Sequence, residues 1–207
     1  MPSFLLKHVT YFALNRQKKC RRFPFTGFLH PRRADQTRRL PSGRLRKGNT
    51  MQITLTLNNK KLTADVAPDA LLIDFVRSHG CLSVKRGCET SNCGLCTVFL
   101  DDKPVLSCSV LAVRADGRRV TTLEGLQDEA AEFGAFIADQ GAEQCGFCNP
   151  GFIMNALALF REKEYPTEEE IKEYLAGNLC RCSGYEGQLR GIQNFLAWKK
   201  AKKEAAE

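Results

Sequence analysis

Eight cysteines fall into two groups whose close spacing suits metal binding by thiolates. The first group, with three members in a single loop, consists of Cys88, Cys93, Cys96 and Cys108. The second group is split between two short motifs, C-x2-C and C-x-C, and consists of Cys145, Cys148, Cys180 and Cys182. Thiolates crowded in this way bind iron or zinc, or pair as disulfides.

The first group has the spacing C-x4-C-x2-C, followed by a fourth cysteine after eleven further residues. Plant-type ferredoxins use this spacing to hold a 2Fe-2S cluster. Gly87 and Gly94 give the loop the backbone freedom that it needs to point three thiolates inward. The sequence therefore predicts a 2Fe-2S cluster here. The alternatives are zinc, whose sites favour two C-x2-C-like pairs, and disulfides, which need an oxidising compartment for which the chain shows no export signal.

The second group lies in two loops of a region with helical periodicity. Four thiolates converge there, where helix ends meet. The pair C-x2-C with C-x-C is only moderately specific on its own, and zinc is a competitor. Because a plant-type cluster motif precedes it in the same chain, we expect a second 2Fe-2S cluster.

The remaining candidate ligands have simpler explanations. The three histidines, His8, His30 and His79, all lie outside the cysteine motifs, which argues against a Rieske centre or a Cys2His2 zinc site. We expect His79 to cap a helix C-terminus, where it interacts with the helix dipole. Cys81 is expected to be a small buried apolar residue.

The charge of the chain is unevenly distributed. Residues 1–50 carry a net charge of +12, whereas residues 51–207 carry −4. The basic segment could be a nucleic-acid-binding arm, an organelle transit peptide or an export signal. We favour a disordered extension, or a start assigned too early with Met51 as the working initiator. No apolar run is long enough to span a membrane, and we expect a cytoplasmic protein.

Alternating apolar and polar residues predict a sheet domain over residues 51–124. A hairpin over residues 51–66 turns at Asn58-Asn59, and a helix opens at Pro68-Asp69 and stops at Gly80. The remaining predicted strands cover residues 97–100, 105–111 (carrying Cys108) and 120–123.

From residue 125 the periodicity becomes helical, and four helices are predicted in a second domain over residues 125–200. Asn149-Pro150 is expected to cap and open the second of these helices. Thr167 and Glu170 form a capping box for the third. Residues 201–207 form a charged tail.

With both cysteine groups in place, the chain resembles the iron-sulfur subunit of the molybdenum hydroxylases, a family that includes xanthine dehydrogenase, aldehyde oxidoreductase and carbon monoxide dehydrogenase. The resemblance covers residues 51–198 and is strongest at residues 87–96, 144–151 and 177–185. It implies an α+β architecture, with a β-grasp ferredoxin domain followed by a four-helix bundle. All eight cysteines correspond to the family's cluster ligands.

The resemblance also implies a role and partners. Substrate would be hydroxylated at a molybdopterin centre on a large subunit, and electrons would leave through two 2Fe-2S clusters to FAD on a medium subunit. This chain would carry no catalytic residue of its own and would belong to a hetero-oligomer without nucleic acid. Gln144 and Cys182 would lie against the pterin; the alternative for Gln144 is that it caps a helix or faces solvent.

The resemblance implies that the substrate of the complex binds another chain. The approach to the first loop, Leu82 to Cys88, looks most like bacterial xanthine dehydrogenase subunits, so purines are the first expectation. An aldehyde or carbon monoxide dehydrogenase-type complex is the alternative, followed by a zinc-stabilised interaction module and a free-standing ferredoxin. Small departures from the family lie at Leu95, Asn149 and Ser183, and none of them is expected to touch a ligand.

Overall fold

A computed structural model describes residues 50–205 of the chain. The predictions for residues 1–49 and 206–207 lie outside this range. The described part mixes strands and helices, as predicted. The strands are β1 (Met51–Leu57), β2 (Lys60–Val66), β3 (Thr97–Leu100), β4 (Lys103–Leu106) and β5 (Arg119–Thr121). The α-helices are α1 (Leu72–Ser78), α2 (Gln127–Asp139), α3 (Asn149–Glu162), α4 (Glu168–Leu175) and α5 (Glu186–Glu204).

The strands form one five-stranded sheet in the order β2-β1-β5-β3-β4. Only the β1–β5 pair is parallel. The β1–β2 hairpin turns at Asn58 and Asn59, whose φ angles of 47° and 65° are left-handed. Asparagine tolerates this conformation better than most residues, which explains why the predicted hairpin forms at this dipeptide.

Strand β3 is buried along its whole length because both faces of the sheet are covered there. Val98 and Leu100 pack into the core that the sheet shares with α1. Phe99, between them, points the other way and belongs to the core of the four later helices. The guanidinium of Arg161, on α3, lies 4.8 Å above the Phe99 ring. The strand therefore joins the two halves of the molecule.

Each half has its own apolar core. Between the sheet and α1 the largest fully buried side chains are Leu55, Leu72, Ile73, Val76, Val98 and Val120. Phenylalanine rings dominate the core of helices α2 to α5. Edge-to-face contacts at 5.2 Å join Phe133 to both Phe160 and Phe195.

Three predicted elements of the sheet half were wrong in their limits. The last predicted strand, residues 120–123, is β5 (Arg119–Thr121), and Leu123 already belongs to a 3₁₀ turn, Leu123–Gly125. Cys108 does not lie on a strand: β4 ends at Leu106, and a 3₁₀ turn, Ser107–Ser109, carries the cysteine. The chain turns there because the Ser107 backbone N–H and hydroxyl both donate to the Cys96 carbonyl oxygen, at 3.2 and 2.7 Å. Helix α1 begins at Leu72 instead of Pro68-Asp69, because Leu71 is extended and forms a β-bridge with Leu111.

The caps of the helical half follow the prediction in one place and depart from it in another. Thr167 and Glu170 form the predicted capping box of α4. Helix α3, however, has Cys148 at its N-cap. Asn149 is already helical, and its side chain donates to the Glu143 carboxylate at 2.7 Å. Helix α5 continues to Glu204 and so includes part of the predicted tail.

No helix among residues 50–205 is both long and apolar enough to cross a membrane.

Candidate metal centres

The thiols of the first group meet in two pairs. Cys88 lies near Cys93 within the loop before β3. Cys96, at the loop's end, lies near Cys108 on the 3₁₀ turn after β4. The antiparallel β3–β4 hairpin makes the second pair possible, because it returns the chain from Cys96 to Cys108. The structure thus brings all four predicted residues of this group to one end of the sheet.

Backbone N–H groups of the loop point at these sulfurs. The nearby backbone N–H groups of Asn92 and Thr90 favour the thiolate of Cys88 and lower the pKa of its thiol to about 6. Burial acts in the opposite direction on Cys96 and raises its pKa to about 11. The loop can aim its amides inward because Ser91 (φ 59°) and Gly94 (φ 71°) are left-handed.

The second group also meets in two pairs. The sulfurs of Cys145 and Cys182 lie 3.5 Å apart. Cys148, at the N-cap of α3, contacts Cys180 in the loop between α4 and α5. Both cysteines of the first pair are exposed, whereas both cysteines of the second are partly buried. Burial, with Cys180 adjacent, raises the pKa of Cys148 to about 12.

Cys180 is surrounded by hydrogen-bond donors. Its sulfur accepts from the backbone N–H of Cys182 at 3.4 Å and from the backbone N–H and hydroxyl of Ser183 at 3.3 and 3.1 Å. Burial opposes ionisation, but these donors outweigh it and lower the pKa of the Cys180 thiol. The expectation that Ser183 touches no ligand was wrong, and a hydroxyl residue directly after C-x-C is the signal that could have pointed to this contact.

The arrangement fits a two-iron cluster. In a 2Fe-2S cluster each iron takes two protein thiolates and shares two bridging sulfides, so the ligands divide into two pairs. The thiols come together two by two, and N–H donors near their sulfurs stabilise the negative charge that a cluster carries.

The second group lies on an exposed face. Gln144, which directly precedes Cys145, is exposed, and its side chain makes no hydrogen bond to the part of the chain that the structure describes. The same region exposes three large side chains, Phe147 (47%), Leu179 (47%) and Tyr185 (46%). Exposed apolar groups concentrated around a site indicate a surface that binds a partner.

The residues outside the two groups behave as expected. His79 caps α1, and its Nδ1 lies 2.8 Å from the Phe75 carbonyl oxygen. Cys81 is buried in the sheet core with 5% of its surface exposed. Their side-chain hydrogen bonds go to residues outside both cysteine groups: His79 bonds with Ser78 and Phe75, and Cys81 accepts from Asn58.

Comparisons with known proteins agree with the two-site geometry. Residues 55–124 match the 2Fe-2S iron-sulfur cluster binding domain, and residues 122–193 match a second family, the [2Fe-2S] binding domain. Each match contains one complete cysteine group.

Three relatives illustrate the similarity over longer stretches. The xanthine dehydrogenase iron-sulfur-binding subunit of Escherichia coli is 41% identical over 66% of this chain and 89% of its own length. The nicotinate dehydrogenase small FeS subunit of Eubacterium barkeri is 40% identical over 66% and 89%. In a crystal structure of quinoline 2-oxidoreductase from Pseudomonas putida 86, one chain superposes with a TM-score of 0.68 at 35% identity, over 74% of this chain and 97% of that one. On this similarity the chain belongs to the iron-sulfur subunits of the molybdenum hydroxylase family.

Proposed function

We propose that this chain is the electron-transfer subunit of a molybdenum hydroxylase. A β-grasp ferredoxin domain, residues 51–124, holds one 2Fe-2S cluster through Cys88, Cys93, Cys96 and Cys108. A four-helix domain, residues 125–200, holds a second through Cys145, Cys148, Cys180 and Cys182. The observation that carries the proposal is the meeting of eight thiols in four neighbouring pairs, in a chain that matches two different 2Fe-2S domain families.

In this function the protein binds the two clusters, shields them and orients them. When bound, a 2Fe-2S cluster accepts and releases one electron at a time. The amides of Thr90 and Asn92 stabilise negative charge at Cys88, and Ser183 does the same at Cys180. Such donors, together with burial, are the means by which a protein sets a cluster's reduction potential.

The exposed face around the second group supports an order for the two sites. Cys145 and Cys182 lie at the surface, with Phe147 and Tyr185 exposed beside them. We propose that this face docks against a large subunit whose molybdopterin contacts Gln144 and Cys182. Electrons then leave through the cluster of the first group, which faces FAD on a medium subunit.

The names of the relatives suggest candidate substrates for the complex. We retain a purine, because one relative at 41% identity is named for xanthine dehydrogenase. A relative at 40% identity is named for nicotinate and a solved structure for quinoline, so similar chains occur in enzymes named for different substrates. Aldehydes and carbon monoxide are the alternatives from the wider family.

Affinity purification from the native cell, performed without oxygen, tests the proposed assembly. We expect two further chains to co-purify, one with molybdenum and one with FAD, and their identity also names the substrate. A chain that purifies alone as a monomer, with neither molybdenum nor flavin, would contradict the assembly and favour a free-standing ferredoxin.

A further inference from the structure

A closed ring of hydrogen bonds joins the two halves of the molecule beside the cysteine sites. The Asn155 amide nitrogen, on α3, donates to the Thr97 hydroxyl at 3.0 Å and to the Asn178 side-chain oxygen at 2.9 Å. Thr97 and Asn178 both donate onward to the Gly94 carbonyl oxygen, at 2.8 and 3.5 Å. We call these four residues the asparagine clamp.

Two members of the clamp are buried and its centre lies at the surface. Thr97 and Asn178 expose 3% and 8% of their surface, whereas Asn155 is half-buried and the four residues line a surface groove. Asn155 is a polar residue within the continuous helix α3, and its neighbours Met154 and Ala156 belong to the core. A buried amide costs free energy unless it is hydrogen-bonded, so such a ring holds only in the one arrangement that satisfies its members.

That arrangement brings the two cysteine groups together. The backbone N–H of Leu179 donates to the carbonyl oxygen of Cys93 at 3.0 Å. Leu179 directly precedes Cys180, so one hydrogen bond links a residue of the first group to the neighbour of a residue of the second. The clamp lies next to both partners of this hydrogen bond, because Asn178 directly precedes Leu179 and Gly94 directly follows Cys93.

We infer that Thr97 and Asn178, linked through Asn155, are positioning residues that fix the distance between the two clusters through the Cys93–Leu179 contact. The inference rests on the proposed function, in which one electron leaves the helical-domain cluster and the sheet-domain cluster gains it. Neither asparagine touches a cysteine sulfur, so the clamp acts on spacing and leaves the ligands themselves in place. Transfer between two fixed centres depends steeply on their separation, which gives this spacing its importance.

The test uses the full chain with both clusters, reduced with dithionite and frozen for electron paramagnetic resonance. Two reduced clusters are both paramagnetic, and their spins split each other's signals by an amount that falls steeply with distance. The variants Asn178→Ala and Thr97→Val each remove part of the ring. Thr97→Ser keeps the hydroxyl, and Asn194→Ala changes an exposed asparagine on α5 as the matched control.

We expect the wild type, Thr97→Ser and Asn194→Ala to show the same splitting. Asn178→Ala and Thr97→Val should show a clear loss of splitting and a several-fold slower transfer between the clusters, with both signals present at full intensity. If the clamp only stabilised the fold, Asn178→Ala and Thr97→Val would lower the unfolding temperature without changing the splitting.

The outcomes separate the inference from the proposed function. A wild-type chain that lacks either cluster signal would overturn the proposed function, and the inference with it. Unchanged splitting in both Asn178→Ala and Thr97→Val, with both clusters present, would overturn the clamp alone. Thr97→Val keeps the test decisive if Asn178→Ala fails to fold.

Discussion

Gly151 in the first turn of α3 packs directly against Gly94 in the first cysteine loop. A Cβ atom added to Gly151 would press on the Gly94 carbonyl oxygen and lie 2.7 Å from the Cα of Leu95. Both of these neighbours are backbone atoms, which cannot rotate away. The helical half therefore reaches the first cysteine loop through a contact that only glycine permits.

Gly151→Ala should push α3 away from this loop. We expect a loss of about 1 to 3 kcal/mol in the free energy of unfolding, the usual cost of overpacking, despite alanine's better helix propensity. Gly177→Ala is the matched control, because its added carbon meets nothing within 4 Å. Urea unfolding of the two variants measures the difference. Equal stability of both would show that the contact is looser than the structure indicates.

Local chemistry explains which parts of the fold the sequence could predict. The β1–β2 hairpin follows from strict alternation around Asn58-Asn59, and the start of α4 follows from a capping box at Thr167. Each signal involves residues that are near in sequence. The eight cysteines were found for the same reason, because metal-binding spacing is also a local pattern.

The missed features depend on partners distant in sequence. The apolar run 105–111 has the composition of a strand, yet it turns at Ser107 because that residue bonds to the Cys96 carbonyl oxygen. Asn155 is separated from Thr97 and Asn178 by 58 and 23 residues, and no short motif announces their meeting. Tertiary packing decides such contacts, and a single sequence does not display it.

Removing one ligand should remove one cluster. Cys93→Ser, in the sheet domain, should lower the iron content to about two per chain from about four, with the remaining signal from the helical domain. Cys182→Ala should do the converse. In the assembled complex, Cys93→Ser should still allow substrate to bleach the remaining cluster while electrons no longer reach the flavin. Normal flavin reduction in an assembled Cys93→Ser complex would show that the proposed order is wrong.

Cys81→Ala supplies the control for these ligand variants. Its thiol is buried in the sheet core and lies outside both groups. Iron content and spectrum should equal those of the wild type, with only a small loss of stability. A loss of iron in this variant would mean that Cys81 also belongs to the cluster ligands.

Gln144→Ala should affect the complex but leave the isolated chain unchanged. The side chain is exposed and makes no hydrogen bond within the described residues, so folding and iron content should stay the same. In the complex, the loss of one neutral hydrogen bond, worth about 1 kcal/mol, should slow the first reduction by substrate or weaken cofactor retention. The control is Gln127→Ala on α2. Unchanged cofactor content and reduction kinetics would leave Gln144 as a solvated residue.

Glu124→Gln should loosen the approach to the first cysteine loop. The Glu124 carboxylate accepts from the Ser83 backbone N–H and hydroxyl, at 2.8 and 2.6 Å, and from the Thr122 hydroxyl at 2.6 Å. Burial opposes ionisation, but these donors prevail and hold the pKa of Glu124 below its ordinary value. The substitution should cost about 1 to 3 kcal/mol at neutral pH, because a buried donor loses its charged partner.

The pH dependence follows from the direction of that shift. A depressed folded-state pKa stabilises the protein above the ordinary glutamate value, and the contribution is lost as the pH falls through the folded pKa. The difference in the free energy of unfolding between wild type and Glu124→Gln should therefore be largest at pH 7 and should disappear in acid. Glu132→Gln, which removes an exposed ion pair with Lys202, should show almost no gap. A Glu124 gap that widened in acid would reverse the assigned direction.

Metal analysis of the full chain purified without oxygen tests the central claim most directly. Iron, acid-labile sulfide and zinc are measured together with the visible spectrum before and after dithionite. The account predicts a red-brown protein with about four irons and four sulfides per chain that bleaches on reduction. A colourless protein that carries zinc in place of iron would contradict it.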